Sequence, residues 1–193
     1  MSMLPLACWQ PPPRLTGVFT DIDDTLTTDG AITSDALEAL AALGWSQPFA
    51  AAWPVDAIVA ENGALAIQRL PGNGGQLSKT YQQDAGTRAA NFTRMQQVLA
   101  EIEATVPGAR RATDSPGRET DIAVDHSEFT HLPQGAIGQC VAIMRAAGMN
   151  ATVSSIHING WYGGHNKLEG ARWIVRELFQ RVLDAEIDHW VYV

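Results

Sequence analysis

The sequence predicts an α/β fold: a Rossmann-like parallel-sheet core into which a smaller α+β domain is inserted. Three observations lead there. Two apolar runs of strand type, Val18-Phe19-Thr20 and Val55-Asp56-Ala57-Ile58-Val59-Ala60, each stop at polar, turn-prone residues. Strands of a covered parallel sheet read as such short apolar runs, and ligands bind beyond their carboxyl ends. The Ala-rich stretch 33–52 between them is long enough for a parallel crossover. From about Leu65 the texture changes to alternating strands and amphipathic helices, the pattern of a sheet with helices on one face.

Along the chain, Pro11-Pro12-Pro13 forms a stiff extended lead into the first strand. After that strand come Asp21, Asp23, Asp24 and Thr25, then an Asp29-Gly30 turn and a helix that Thr33 or Ser34 can cap. Its apolar residues, Ala36, Leu37, Leu40 and Leu43, recur at helical spacing until Gly44 and Pro48 break the pattern. The second strand, 55–60, ends at Glu61-Asn62-Gly63-Ala64, and Leu70 to Gly75 reads as a loop. A helix over 89–105 places Phe92, Met95, Val98, Leu99 and Ile102 on one face. Residues 118–125 alternate like a half-buried strand, 135–147 form an amphipathic helix stopped by Gly148, and 151–158 alternate again. Gly163-Gly164 then turns into a helix with Lys167 in its first turn and Ile174, Val175, Leu178 and Val182 on its apolar face. A last apolar strand spans 187–193. The expected domains are a discontinuous core, 14–64 and 160–193, and an inserted α+β domain, 65–159.

Composition narrows the function classes. The 193 residues are 46% hydrophobic and 18% charged, which suits a globular protein with a real core. A net charge of −8 argues against nucleic acid as the partner, because phosphate backbones recruit basic surfaces. No stretch approaches membrane-spanning length, and the N-terminus lacks a secretion signal's basic start and long apolar run. Cys8 and Cys140 are far apart and form no metal-type spacing, as expected of inert thiols in a reducing, cytoplasmic setting.

The chemistry concentrates at the first strand's end. Carboxylates as close as Asp21 and Asp23 repel one another unless a cation or protons neutralise them, which points to a hard, oxygen-preferring ion such as Mg²⁺. Asp-Asp-Thr also opens turns and caps helices. Its place between an apolar strand and a turn favours the metal reading. Lys167 stands where the helix dipole disfavours a cation, so it is either a solvated surface lysine or, if next to the Asp cluster in space, a group that neutralises Asp and phosphate charge.

Asp21-Ile22-Asp23-Asp24-Thr25-Leu26-Thr27 resembles the first signature motif, Asp-x-Asp-x-Thr, of the haloacid dehalogenase superfamily of phosphohydrolases. Ile58-Val59-Ala60-Glu61-Asn62-Gly63-Ala64 is similar to the strand and turn that lead into the large cap of its sugar-phosphatase branch, a type IIB cap, and Asn166-Lys167-Leu168-Glu169-Gly170-Ala171 to the helix start after that cap. The resemblance implies Asp21 as a nucleophile that forms an aspartyl-phosphate, and Asp23 as the acid and base. It implies Thr25, Asn62, Gly63 and Lys167 as phosphate contacts, and Asp21 and Asp23 as Mg²⁺ ligands. Arg118, Glu119, His157, Asn159, His165 and Asn166 are candidates to contact the substrate, a small phosphorylated metabolite of sugar-phosphate type. A catalytically silent phospholigand-binding protein, and a phosphomutase or transferase sharing the aspartyl-phosphate, are the alternatives. Two family motifs are not in the sequence: one should follow Leu43, where Gly44-Trp45-Ser46-Gln47-Pro48 stands, and an acidic one should follow Val193. Either the chain is a degenerate relative without a full metal site, or the polypeptide is longer, with a stretch near residue 43 and another after Val193; buried sheet edges are normally paired, so the second is the expectation.

Overall fold

The computed structural model describes residues 10, 13–22, 25–28, 31–42, 55–70 and 76–193. Chain order is β1 (Gly17–Phe19), β2 (Thr27–Thr28), β3 (Ala31–Ile32), α1 (Ser34–Ala42), β4 (Ala57–Ala60), β5 (Leu65–Arg69), β6 (Leu77–Tyr81), α2 (Ala85–Thr105), β7 (Arg110–Arg111), β8 (Ile122–Asp125), α3 (Gln134–Ala146), β9 (Asn150–Val153), β10 (His157–Trp161), α4 (Lys167–Phe179) and β11 (Trp190–Tyr192). The chain divides into two compact units. One comprises Met1–Ile58, Ile67–Ser78 and Ala171–Val193, the other Val59–Ala66 and Lys79–Gly170. The expected break after Leu43, with Gly44 and Trp45, lies outside the described residues.

In the first unit β1 and β11 pair in parallel, Gly17 opposite Trp190 and Phe19 opposite Tyr192. The Phe19 and Trp190 rings stack, with centroids 5.1 Å apart. Gly17 makes room for this, since a Cβ there would lie 2.2 Å from the Trp190 ring. Two residues beyond β1 the Asp21 N–H donates to the Val193 carbonyl at 3.1 Å, so the carboxyl ends of both strands meet. β2 and β3 pair antiparallel, Thr27 opposite Ile32 and Thr28 opposite Ala31. The expected Asp29-Gly30 turn lies outside the described residues. α1 starts as expected, with the Thr33 hydroxyl accepting the Ala36 N–H at 3.4 Å. β4 lies beside β5, and β5 beside β6.

The second unit holds a four-stranded sheet in the order β7-β8-β10-β9, antiparallel throughout. Its core joins Met95, Leu99 and Ile102 of α2 and Cys140 and Met144 of α3 to Ile122, Val124 and Ile158 of the sheet. This is the α+β layer with helices that the alternating segments predict. α2 begins at Ala85, four residues before the periodicity does, because the Asp84 carboxylate caps it by accepting the Thr87 N–H at 2.9 Å. Phe92 departs from the predicted apolar face and is exposed. Gly148, at φ +80°, takes the left-handed conformation that ends α3. Cys140 is buried, and desolvation raises its thiol pKa, which suits an inert side chain.

Four segments differ from the sequence reading. Of the last strand expected over 187–193, Ile187–His189 form a 3-10 helix and only Trp190–Tyr192 are strand. Residues 118–121 are a loop rather than strand, and β8 itself, paired along both edges, is buried at all four residues rather than alternately. The single strand expected over 151–158 is a hairpin: β9 and β10 flank Ser154-Ser155-Ile156, and the Ser154 N–H donates to the His157 carbonyl at 2.8 Å. Val182 lies beyond the end of α4 and is exposed.

The loop after β8 is built on one carboxylate. Asp125 accepts the N–H groups of Glu128, Phe129 and Thr130 at 2.9, 3.0 and 2.9 Å. Burial alone would raise its pKa, but these three donors hold it below the ordinary carboxylate range. Asp125→Ala is therefore expected to strip exchange protection from the amides of Glu128 to Thr130, measured by hydrogen exchange, while protection in α2 stays unchanged.

Candidate functional site

Asp21 stands half-buried at the carboxyl end of β1, where its Oδ1 accepts the Ile22 N–H at 3.1 Å. Thr25 is exposed in the turn that follows, its N–H donating to the Ile22 carbonyl at 3.3 Å. Asp23 lies outside the described residues. Among the described residues, no three His, Cys, Asp or Glu side chains are grouped so as to hold a metal ion. Of the two carboxylates assigned to Mg²⁺, the structure therefore describes Asp21 alone.

The second unit carries Asn62, Gly63 and Lys167. After β4 the chain passes through three consecutive left-handed residues, Glu61 (φ 48°), Asn62 (φ 56°) and Gly63 (φ 92°). For a non-glycine residue that conformation costs roughly 1–2 kcal/mol, so two in a row need strong local partners. They have them. The Glu61 carboxylate accepts the N–H groups of Glu119 and Thr120 and the Thr120 hydroxyl. The Asn62 Nδ2 donates to Asp121 Oδ2 at 2.9 Å.

Gly63 fits for a separate reason. A Cβ on it would fall 2.3 Å from the Asn166 carbonyl oxygen, and a Cβ on Gly170 would fall 2.7 Å from the Gly63 Cα. The turn after β4 thus packs backbone to backbone on the start of α4, the helix whose first residue is Lys167. Two of the three sequence motifs meet in this way. Asn166, expected as a substrate contact, caps the helix: its Oδ1 accepts the Glu169 N–H at 3.0 Å and its carbonyl the Gly170 N–H at 2.8 Å.

The other substrate candidates divide into engaged and uncommitted groups. The Arg118 guanidinium forks onto Asp114 at 2.9 and 2.7 Å and reaches Asp121 Oδ1 at 2.8 Å. His157 is buried, with Nε2 2.9 Å from the Glu128 carboxylate. Asn159 keeps a buried Oδ1 without a hydrogen-bond partner, as does the buried Nε2 of His165. His165 packs against Trp161, whose Nε1–H donates to the His165 carbonyl at 2.9 Å, and desolvation lowers its pKa and favours the neutral ring. Trp161 is accordingly a core residue, as its type suggests.

Glu119 is the hub of a cluster the sequence reading missed. It accepts from Lys79 and from the Tyr81 hydroxyl, the latter at 2.6 Å, and these donors hold its pKa below the usual range. The Arg88 guanidinium lies 3.4 Å from the centre of the Tyr81 ring, with a buried Nε that has no partner. Lys79 and Tyr81 alternate along β6 with Arg88 one turn into α2, but a two-residue spacing in an unrecognised strand gives no signal. Glu61 and Asp121 were equally hidden, because each acts on residues some sixty positions away.

Three solved structures share this fold. A Thermoplasma acidophilum protein matches with a TM-score of 0.64 at 14% identity, covering 93% of this chain and 76% of that one. A trehalose-6-phosphate phosphatase related protein matches at 0.54 and 16%, over 84% and 74%. The IMP-nucleotidase of Plasmodium falciparum matches at 0.57 and 12%, over 93% of this chain and 53% of its own. No family model matches the chain, and no curated protein matches its sequence significantly. The chain shares the mixed α/β fold of these structures, with a parallel strand pair and helices, in line with the fold class its sequence predicts. At such identities the likeness speaks for fold alone.

Proposed function

We propose that this protein is a phosphomonoester hydrolase acting on small phosphorylated metabolites of sugar-phosphate type. The observation that carries the reading is a carboxylate, Asp21, at the carboxyl end of a strand in a parallel pair within this fold. Ligand chemistry in open α/β sheets occurs at that end. In the proposed reaction Asp21 attacks phosphorus while Asp23 gives its proton to the departing oxygen. Asp23 then takes a proton from the water that splits the aspartyl-phosphate, which returns Asp21 and releases phosphate. Asp21 and Asp23 are the oxygen donors that would hold Mg²⁺, which supplies charge neutralisation for the phosphoryl group. Thr25, Asn62, Gly63 and Lys167 are the proposed phosphate contacts.

The proposed core is 14–64 with 160–193, and the proposed cap is 65–159. The polar cluster of Lys79, Tyr81, Arg88 and Glu119 supports a polyhydroxylated substrate body, since it offers both charged acceptors and donors. Two proteins that share the fold, a trehalose-6-phosphate phosphatase related protein and a nucleotidase, also favour phosphate ester chemistry. No helix of the described residues is long and apolar enough to cross a membrane.

The test is hydrolysis of p-nitrophenyl phosphate and of a sugar-phosphate panel with added Mg²⁺. Turnover is expected, with loss in excess chelator and recovery on adding Mg²⁺ back. A folded, full-length protein that releases no phosphate from any of these esters would overturn the reading in favour of a silent phospholigand-binding protein.

A further inference from the structure

We infer that Asp121 is a positioning residue: it fixes the Asn62 carboxamide within the phosphate-binding turn, and its protonation releases that hold. The inference rests on the proposed reading of Asn62 and Gly63 as phosphate contacts.

Asp121 precedes β8 and is 1% exposed. Its two oxygens serve different partners, with Oδ1 anchored by Arg118 at 2.8 Å and Oδ2 accepting from Asn62 at 2.9 Å. Arg118 is anchored in turn by its fork onto Asp114. A line of charge-assisted bonds therefore runs from the Ser115–Gly117 turn to the side chain of a residue at φ 56°. A carboxamide has a donor end and an acceptor end of nearly equal shape. A carboxylate partner selects the donor end, because an ionised oxygen can only accept. Asp121 thus decides which way Asn62 faces, as Glu61 decides the backbone of the same turn through residues 119 and 120. A buried carboxylate is a costly way to gain stability alone, whereas fixing an orientation is what a charged acceptor does well.

Burial raises the Asp121 pKa to about 6, with Arg118 opposing the shift and Glu61 and Asp114 adding to it. Arg118 and Asp114 face it from the turn before β8, and Glu61 from the turn after β4. For an acid whose folded pKa is raised, the stability contribution is full below the unfolded value and is lost as pH rises through about 6. Protonating Asp121 therefore does not unfold the protein. It weakens the grip on Asn62 while favouring the fold, which separates positioning from structural failure.

The experiment uses the full chain with ¹⁵N labelling. The Asn62 side-chain amide signals are expected to titrate with a midpoint near pH 6 in the wild type and to lose that transition in Asp121→Asn. Inhibition of p-nitrophenyl phosphate turnover by inorganic phosphate at pH 7.5 is expected to weaken about tenfold in Asp121→Asn, the size of one charge-assisted hydrogen bond. The unfolding midpoint should not fall. Asn62→Ala should weaken phosphate inhibition similarly, and the double variant should add little to either. Asn62 signals that titrate identically in Asp121→Asn, or additive effects in the double variant, overturn the inference. If Asp121→Asn does not fold, the wild-type titration and Asn62→Ala decide. A wild type that turns over no ester and binds no phosphate overturns the phosphatase reading and the phosphate part of this inference, while the Asn62 titration still reads the Asp121 contact by itself.

Discussion

Asp21→Asn is expected to lower the turnover number for p-nitrophenyl phosphate by about 10³-fold or more, equivalent to about 4 kcal/mol of lost transition-state stabilisation. The substitution keeps the shape of the side chain and its acceptor for the Ile22 N–H. It removes the ionised oxygen that would attack phosphorus. A carboxamide oxygen is a poor nucleophile, and its phosphorylated form is not a stable intermediate. Because Asp21 is only half-buried and its backbone N–H to Val193 is untouched, the unfolding midpoint should move little. Rapid quench in acid should trap a phosphorylated wild type and none of the variant. A variant retaining more than about a tenth of wild-type turnover would remove Asp21 from the chemistry, since nucleophile losses in covalent catalysis are far larger.

Gly63→Ala is expected to destabilise the protein by about 3 kcal/mol in urea unfolding, from left-handed strain and overpacking together. The new Cβ meets the Asn166 carbonyl oxygen at 2.3 Å, and neither partner is a flexible side chain that can swing away. Relief requires the turn after β4 and the start of α4 to part. Gly170→Ala tests the same seam from the other side, with its Cβ 2.7 Å from the Gly63 Cα and no backbone strain of its own. Its cost should therefore be smaller, about 1–2 kcal/mol. If both variants kept wild-type stability, the close approach of the two motifs would be wrong. Gly164→Ala is the control, since a Cβ there meets nothing.

What was legible in the sequence was local. The capping of α1 by Thr33, the buried stripe Met95, Val98, Leu99 and Ile102, the stop at Gly148, and Lys167 at a helix start all follow from spacing within one or two turns. The strand-then-carboxylate pattern at Asp21 was visible for the same reason. What stayed hidden depends on residues far apart in the chain. Nothing in Arg118-Glu119-Thr120-Asp121 says that its backbone will be taken up by Glu61, so alternation alone made it a strand. The hairpin at Ser154-Ser155 stayed hidden because two adjacent serines interrupt the alternation of 151–158 too briefly, and without Gly, Pro or Asn, to mark a turn. β7, two arginines long, is too short to have a period at all. The capping role of Asn166 was not read either, because asparagine suits both binding and capping, and the bond from the Glu169 N–H shows the second.

The pairing of Gly17 with Trp190 has a consequence for synthesis on the ribosome. The strand that leads to Asp21 is made early, and its partner is among the last residues described. The α2, α3 and sheet core of the second unit is assembled from neighbours in sequence and can form as soon as it emerges, since local contacts close fastest. During that interval the Gly17–Phe19 edge stays unmatched, exposed to the hazards of any open strand. The carboxylates that follow it in sequence, Asp21, Asp23 and Asp24, put like charge beside that open edge, one of the ways edge strands are kept from pairing with other chains.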